Sequence, residues 1–277
     1  MSYREYIPSP ALAAYVDCYW LLETEQTLPG QETPLQRCLP FGSVEIICQV
    51  NRKLCQIFNA NDNRWEPSPY IYCTGLYTDT AYWHAESGTR MFGIRLKPEG
   101  LKELFSVPAA EVLNSVVHGA DIIGKQANSL CDYMTGVNDI GTLIRTAETF
   151  LLNRLANAAI KHDYVREACR IIRNTNGGLP VEALSNQLYI SKRQLERGFK
   201  QQIGATPKTY QRIIRFRTAY RYARSRELAS LKWADVSYES GYSDQAHFIR
   251  EFREFTGEAP GILANNKAAF FQTLEVC

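Results

Sequence analysis

The sequence predicts an α+β chain, β-rich in its first half and all-helical in its second. Three observations lead there. Up to about residue 110, short β-branched and aromatic runs alternate with clusters of Asn, Asp, Pro, Ser and Gly, the pattern of strands separated by turns. From about residue 120 onward, apolar residues recur at helical spacing instead. The second half also writes one plan twice: ISKRQLERGFKQQIGATP at 190–207 and SGYSDQAHFIREFREFTGEAP at 240–260. Each runs from a serine through an amphipathic segment with a Phe near its end to a Gly, then a Pro three residues on.

In chain order, the strand-like runs are CLPFGSVEIICQV (38–50), which opens on a Pro-Phe-Gly-Ser turn, then KLCQIFNA, YIYCTGLYT, TAYWHAES and TRMFGIRL. In the last of these Met91, Gly93 and Arg95 face one way, and Phe92, Ile94 and Leu96 the other. Short strands at this spacing predict a barrel or sandwich, here a small cupin-like barrel with flanking helices. Two helices are expected to interrupt it: ALAAYVDCYWLLE (11–23), and PEGLKELFSV, which begins with Pro98 at an N1-like place.

In 140–158, Leu143, Ala147, Phe150, Leu151, Leu155 and Ala158 form one stripe at 3.6 spacing. The stripe serves either the core, the preferred reading, or a homodimer contact. Gly177-Gly178 followed by Pro180 marks a helix stop and a new start. The expected organisation is an N-terminal domain at 1–159, with its β-rich core to about 110 and helices over 111–159. A C-terminal domain follows at 160–277.

Composition bounds the function. No apolar run approaches the roughly 20 residues of a membrane span, and MSYREYIPSP lacks the features of a secretory signal, so a cytoplasmic protein is expected. The eight cysteines (18, 38, 48, 55, 73, 131, 169 and 277) show no CxxC or CxxxC pair. They read as reduced, buried small hydrophobes, with neither metal nor cofactor expected. Charge is divided unevenly: residues 1–159 hold 12 Lys and Arg against 17 Asp and Glu, residues 160–277 hold 19 against 12. Within 192–226 there are eleven basic residues and one acid, Glu196. Such a density attracts polyanions, and a folded basic segment suits a duplex best.

The repeat then reads as two helix-turn-helix units, at about 180–202 and 231–254, joined by a linker helix over about 206–226. In the first, PVEALSNQL supports with Val181, Leu184 and Leu188 inward, Tyr189-Ile190 turns, and Ser191 caps the second helix. That helix keeps Leu195 and Phe199 inside. It shows Lys192, Arg193, Gln194, Glu196, Arg197 and Lys200 outside, a composition suited to base edges and phosphates. In the second unit, KWADVSYES supports with Trp233, Val236 and Ser240 inward. Gly241 turns, Ser243 or Asp244 caps, and Phe248 and Phe252 repeat the inward pair at an offset of 53. The linker PKTYQRIIRFRTAYRYARS packs through Tyr210, Ile213, Ile214, Phe216, Ala219 and Ala223. A rigid helix there holds two recognition helices apart, and a separation near 34 Å lets both enter successive major grooves.

ISKRQLERGFKQQIGATPKTY, GYSDQAHFIREFREFTGEAP and the linker RIIRFRTAYRYA resemble the DNA-binding domain of the AraC/XylS family of bacterial transcription regulators, over about 162–263. PSPALAAYVDCYW, LPFGSVEIICQV and RMFGIRLKPEG resemble the sensory half of one subgroup of such regulators. The resemblance implies base contacts from Arg193, Gln194 and Arg197 in the first unit, and from Gln245, His247 and Arg250 in the second. It implies phosphate contacts from Lys192, Lys200, Arg253 and the helix N-termini. Two residues depart from this pattern. Glu196 either accepts from a cytosine amino group or pairs with a nearby Arg, and Asp244 suits a helix cap better than DNA. For His247, packing against the supporting helix is the alternative.

The resemblance implies double-stranded DNA as partner, with RNA polymerase and an unidentified small-molecule or protein effector as further candidates. The aromatics Tyr70, Tyr72, Tyr77, Tyr82 and Trp83 either line a pocket or form plain core, the latter preferred. Three other readings stand beside it. A DNA-binding scaffold would need no effector. A cupin-like enzyme needs clustered His with a carboxylate, whereas His84, His118, His162 and His247 are scattered. A DNA-repair methyl acceptor needs a zinc-bound cysteine, and the isolated cysteines argue against it.

Overall fold

The computed structural model of the chain describes residues 1–25, 32–60, 62–158, 163–226 and 231–261. His162, Cys277 and the boundary expected at 159/160 lie outside the described residues.

The first half folds as two antiparallel sheets. The larger takes β1 (Ser2–Tyr6), β2 (Val16–Glu23), β4 (Val44–Gln49), β7 (Ile71–Thr74), β9 (Arg90–Leu96) and β10 (Val116–His118), in the order β1-β2-β9-β4-β7-β10. The smaller joins β3 (Gln36–Cys38), β5 (Cys55–Asn59), β6 (Arg64–Pro67) and β8 (Ala81–Ala85), in the order β3-β8-β5-β6. The β-rich first half with flanking helices matches the expectation. Among the described residues the two sheets do not close into one barrel.

The larger sheet is covered on both faces. Trp20, Leu22, Ile47, Tyr72 and Met91 from its strands pack with Cys55 and Trp83 of the smaller sheet. The opposite face, with Tyr19, Leu21, Ile46, Phe92 and Ile94, packs on helices. Those helices are α1 (Pro98–Phe105), α2 (Gly119–Ile123), α3 (Gln126–Met134) and α4 (Ile140–Ala156). The alternation foreseen in RMFGIRL holds, and Pro98 stands at the start of α1. Gly93 permits a close approach, since a Cβ there would lie 1.9 Å from the Trp20 indole.

One expectation fails. ALAAYVDCYWLLE is not a helix: its second part is β2, paired with β1 on one side and β9 on the other. A strand buried on both faces carries an unbroken apolar run, and periodicity cannot tell that from a buried helix.

The 140–158 stripe belongs to the core. Leu143, Ala147 and Leu151 are fully buried, and Phe150 and Leu155 are partly buried against the same cluster. Six cysteines (18, 48, 55, 73, 131 and 169) are buried thiols in the role expected of them, whereas Cys38 is half-buried and disulfide-bonded, contrary to the expectation of reduced thiols throughout.

The second half is helical: α5 (Tyr164–Asn174), α6 (Val181–Gln187), α7 (Lys192–Gln202), α8 (Pro207–Arg224), α9 (Trp233–Glu239) and α10 (Gln245–Thr256). Its core gathers Leu184, Leu195, Phe199, Tyr210, Phe216, Val236, Phe248 and Phe252, but also Leu39, Phe41 and Leu76 from the first half.

Candidate nucleic-acid interface

α6–α7 and α9–α10 are built alike, down to the backbone of their turns. After α6, Tyr189 N–H donates to Asn186 O and Ile190 N–H to Ser185 O; after α9, Gly241 N–H donates to Tyr238 O and Tyr242 N–H to Ser237 O. This closure needs a left-handed residue just past the helix end. Gly241 supplies it with φ 77, and Tyr189 adopts φ 54 with a nearly bare side chain, 96% exposed. The second turn is one residue longer, so the supporting helices repeat at 52 residues and the recognition helices at 53.

Each recognition helix is capped as expected. Ser191 Oγ accepts from Gln194 N–H at 3.1 Å, and Asp244 Oδ1 from His247 N–H at 2.7 Å. Hydrogen bonding from the His247 backbone is the largest influence holding the Asp244 carboxyl below its ordinary pKa, which keeps an anion at the positive end of α10. Between the two options weighed for this cap, Asp244 takes it.

Inward, Leu195, Phe199 and Phe248 are fully buried and Phe252 nearly so. Gly198 brings α7 close to α5: a Cβ there would meet the Tyr164 hydroxyl at 2.4 Å, and Tyr164 Oη donates to Gln194 O. Sequence reasoning misses this contact, because a glycine inside an amphipathic helix looks like a weak helix former and nothing more.

Outward, Arg193 and Arg197 on α7 and Gln245 and Arg250 on α10 are exposed and have no side-chain hydrogen bond or ion pair among the described residues. Gln194 is half-buried beside them. The other candidates have intramolecular partners. Lys192 pairs with Glu182 of α6 at 2.6 Å, and Lys200 Nζ reaches Gly204 O at 3.2 Å. His247 is half-buried: Nδ1 lies 3.1 Å from Ser243 Oγ, Nε2 lies 3.4 Å from Glu251, and the ring stands edge-on to Tyr242. Arg253 is exposed in the last turn of α10. Glu196 is exposed and forms no ion pair among the described residues.

The basic linker α8 spends much of its charge internally. Arg212 holds Glu251 at 2.7 Å and also Glu254, while Arg215 reaches Glu251 at 3.4 Å and Gly177 O at 3.1 Å. Arg217 pairs with Asp17 of β2. α8 also receives the 38–43 turn of the first half: Phe41 stacks 6.2 Å from Phe216 and lies tilted 5.2 Å from Tyr220. A Cβ on Gly42 would come within 3.2 Å of Tyr210, Ile213 and Ile214.

Other contacts tie the halves together. Arg173 of α5 forks onto Glu99 of α1 and donates to Tyr210 Oη at 3.1 Å, and Lys102 meets Asp163 at 3.1 Å. Count alone therefore overstated the field that α8 shows to DNA.

The Arg217–Asp17 pair makes this junction acid-sensitive. Burial raises the Asp17 pKa, but the charge and hydrogen bond of Arg217 outweigh it and hold the carboxyl below its ordinary value. The contribution is therefore complete above the unfolded pKa, near 4, and lost as pH falls through the folded one. Asp17→Asn is expected to lower the urea midpoint at about pH 6 and to differ less from the parent at about pH 3; an equal deficit at both contradicts this.

Residues 4–118 match a family described as a domain of unknown function (DUF6597), and residues 184–266 match a family described as a helix-turn-helix domain. The HTH-type transcriptional activator RhaS of Escherichia coli is 34% identical over 91 residues, which is 33% of this chain and 32% of RhaS. The chain thus spans about a third of the length of the curated relatives it matches. The crystal structure of apo ToxT from Vibrio cholerae strain SCE256 aligns over 95% of this chain and 99% of its own, with a TM-score of 0.50 and 10% identity, a likeness of fold.

Proposed function

We propose that this chain, which carries an AraC-type helix-turn-helix domain behind a domain of unknown function, is a sequence-specific transcriptional regulator whose N-terminal half senses an effector. The observation that carries the DNA-binding part is the pair of capped, equivalently closed helix-turn-helix units. Each holds its outer polar side chains in solvent: Arg193 and Arg197 on one, Gln245 and Arg250 on the other.

In this reading those four side chains and Gln194 read base edges, while Lys192, Lys200 and Arg253 contact phosphates. His247 contributes after release from its Ser243–Glu251 bonds. DNA is the partner, RNA polymerase a further one, and the cytoplasm the place of action. Among the described residues no helix is long and apolar enough to cross a membrane. The close relatives are transcription regulators, which favours a regulator over an enzyme.

Two variants test the roles. Arg250→Ala is expected to cost about 1–3 kcal/mol on the preferred site and to relax preference at one position. An unchanged preference removes Arg250 from the base readers. Lys200→Ala is expected to weaken binding to all duplexes alike and to flatten the plot of log affinity against log salt by about one unit. A loss confined to particular sequences would show that the phosphate contacts lie elsewhere.

A further inference from the structure

A groove of about 510 Å³ opens between β5–β6, the β7–β8 connection and β10, within the size range of small-molecule sites. It shares Ile57, Tyr77, Ala81, Tyr82 and Val116 with a small niche running inward between the two sheets. Trp20, Ile47, Tyr72, Trp83 and Met91 are among the walls of that niche.

Charge says what fits. No Lys or Arg lines the groove or the niche, and His118 is the basic side chain among the groove's lining residues. Two carboxylates stand at the groove. Glu66 is already paired with Arg64 at 2.5 Å. Asp79 is exposed, accepts a hydrogen bond from Thr78 at 3.1 Å, and has no ion pair among the described residues. Deeper in, the charge of Glu45 is satisfied by Arg95 at 2.6 Å and by the Trp20 indole at 3.1 Å. The junction of groove and niche is lined by Tyr77 and Tyr82, whose ring faces attract a cation and repel an anion. Trp83, among the niche walls, is 7% exposed, and its Nε1 has no hydrogen-bond partner among the described residues.

We propose that this groove binds an organic ammonium ion with an aromatic body. Asp79 and the rings of Tyr77 and Tyr82 hold the ammonium, and the aromatic body lies along the groove wall formed by Ile57, Phe58 and Val116. The proposal rests on the reading of the N-terminal half as a sensor.

The groove also has a route to the DNA-binding half. Thr80, on its wall, donates to Phe255 O near the end of α10 at 2.5 Å. Tyr82 pairs with Arg37 across β3 and β8, and Arg37 holds Glu258 at 2.7 Å, just beyond α10. Asn114, another wall residue, is bonded to Thr78, and its neighbour Leu113 lies against Gly204 beyond the end of α7. A ligand that draws the 79–82 segment inward therefore pulls on the seat of the second recognition helix.

Calorimetric titration of the full-length protein with three matched probes tests this: tyramine, its alcohol tyrosol, and the matched phenolic carboxylate phloretic acid. Tyramine is expected to bind about tenfold more tightly than tyrosol, with the carboxylate weakest. Asp79→Asn is expected to weaken tyramine by about tenfold and to leave tyrosol within about twofold. A carboxylate that binds as well as the amine, an Asp79→Asn loss shared by the alcohol, or no binding of tyramine each overturns the proposal. The same preparations are assayed for selective duplex binding without probe. Selective DNA binding beside a failed titration removes the ammonium site alone, whereas loss of both removes the regulator reading as well.

Discussion

Phe216→Ala is expected to lower the unfolding free energy by about 3–5 kcal/mol, the usual cost of emptying a large aromatic site in a core. Phe216 is fully buried on the linker helix and meets the rings of Phe41, Phe252 and Phe255. Phe41 of the first half stacks on it, and Phe252 and Phe255 of α10 lie 5.5 and 5.1 Å away; Trp233 in turn covers Phe248 and Phe252. Removing the ring loosens the seat of the second recognition helix and the contact between the halves together. Urea unfolding followed by tryptophan emission and by far-ultraviolet circular dichroism should show an earlier midpoint in both signals. A change below about 1 kcal/mol would mean that the cavity collapses at little cost and that the junction is not held there.

The second large effect concerns the ion pair inside the N-terminal sandwich. Arg95 is 5% exposed and forks onto Glu45, itself 4% exposed, and onto Glu5, each at 2.6 Å. It also donates to Tyr3 Oη at 3.0 Å. Arg95→Met leaves the Glu45 carboxylate buried without its counter-charge, at an expected cost of about 3–5 kcal/mol. Replacing both partners removes that stranded charge, so Arg95→Met with Glu45→Met should be more stable than Arg95→Met alone. If the double variant is no better than the single one, the cost lies in lost packing and the electrostatic account fails.

How much of this could be read from the sequence differs sharply between the halves. In the C-terminal half the pattern is local. Ser191 and Asp244 are capping residues at the start of amphipathic runs, Leu195/Phe199 and Phe248/Phe252 repeat at i, i+4, and Gly241 marks a left-handed turn. Each signal acts within a few residues, so spacing alone placed the elements. Tyr189 took the same left-handed place without a glycine to announce it.

In the N-terminal half the informative contacts are long-range. Nothing near 11–23 shows that β1 and β9 will flank it, and burial on both faces erased the alternation that marks a strand. The short strands β1, β3, β6 and β10 carry too few residues to show a period.

The exposure of the candidate side chains was legible in the sequence, but their internal engagement was not. Arg193, Arg197, Gln245 and Arg250 stand in solvent as expected, while Arg212, Arg215 and Arg217 of the same basic tract turn to Glu251, Gly177 and Asp17. Charge density reports how many cations a segment holds. Which way they point depends on partners distant in sequence, such as the Asp17 that meets Arg217 across the domain junction.

The central claim, that both helix-turn-helix units read one duplex, is tested most directly by selecting bound duplexes from a random pool with the purified full-length protein at several salt concentrations. The account predicts enrichment of a site with two short blocks whose centres lie about 10 base pairs apart, one helical turn. Arg193→Ala should degrade one block and Arg250→Ala the other. Binding that falls with salt yet enriches no sequence, or a single block degraded by both variants, would contradict it.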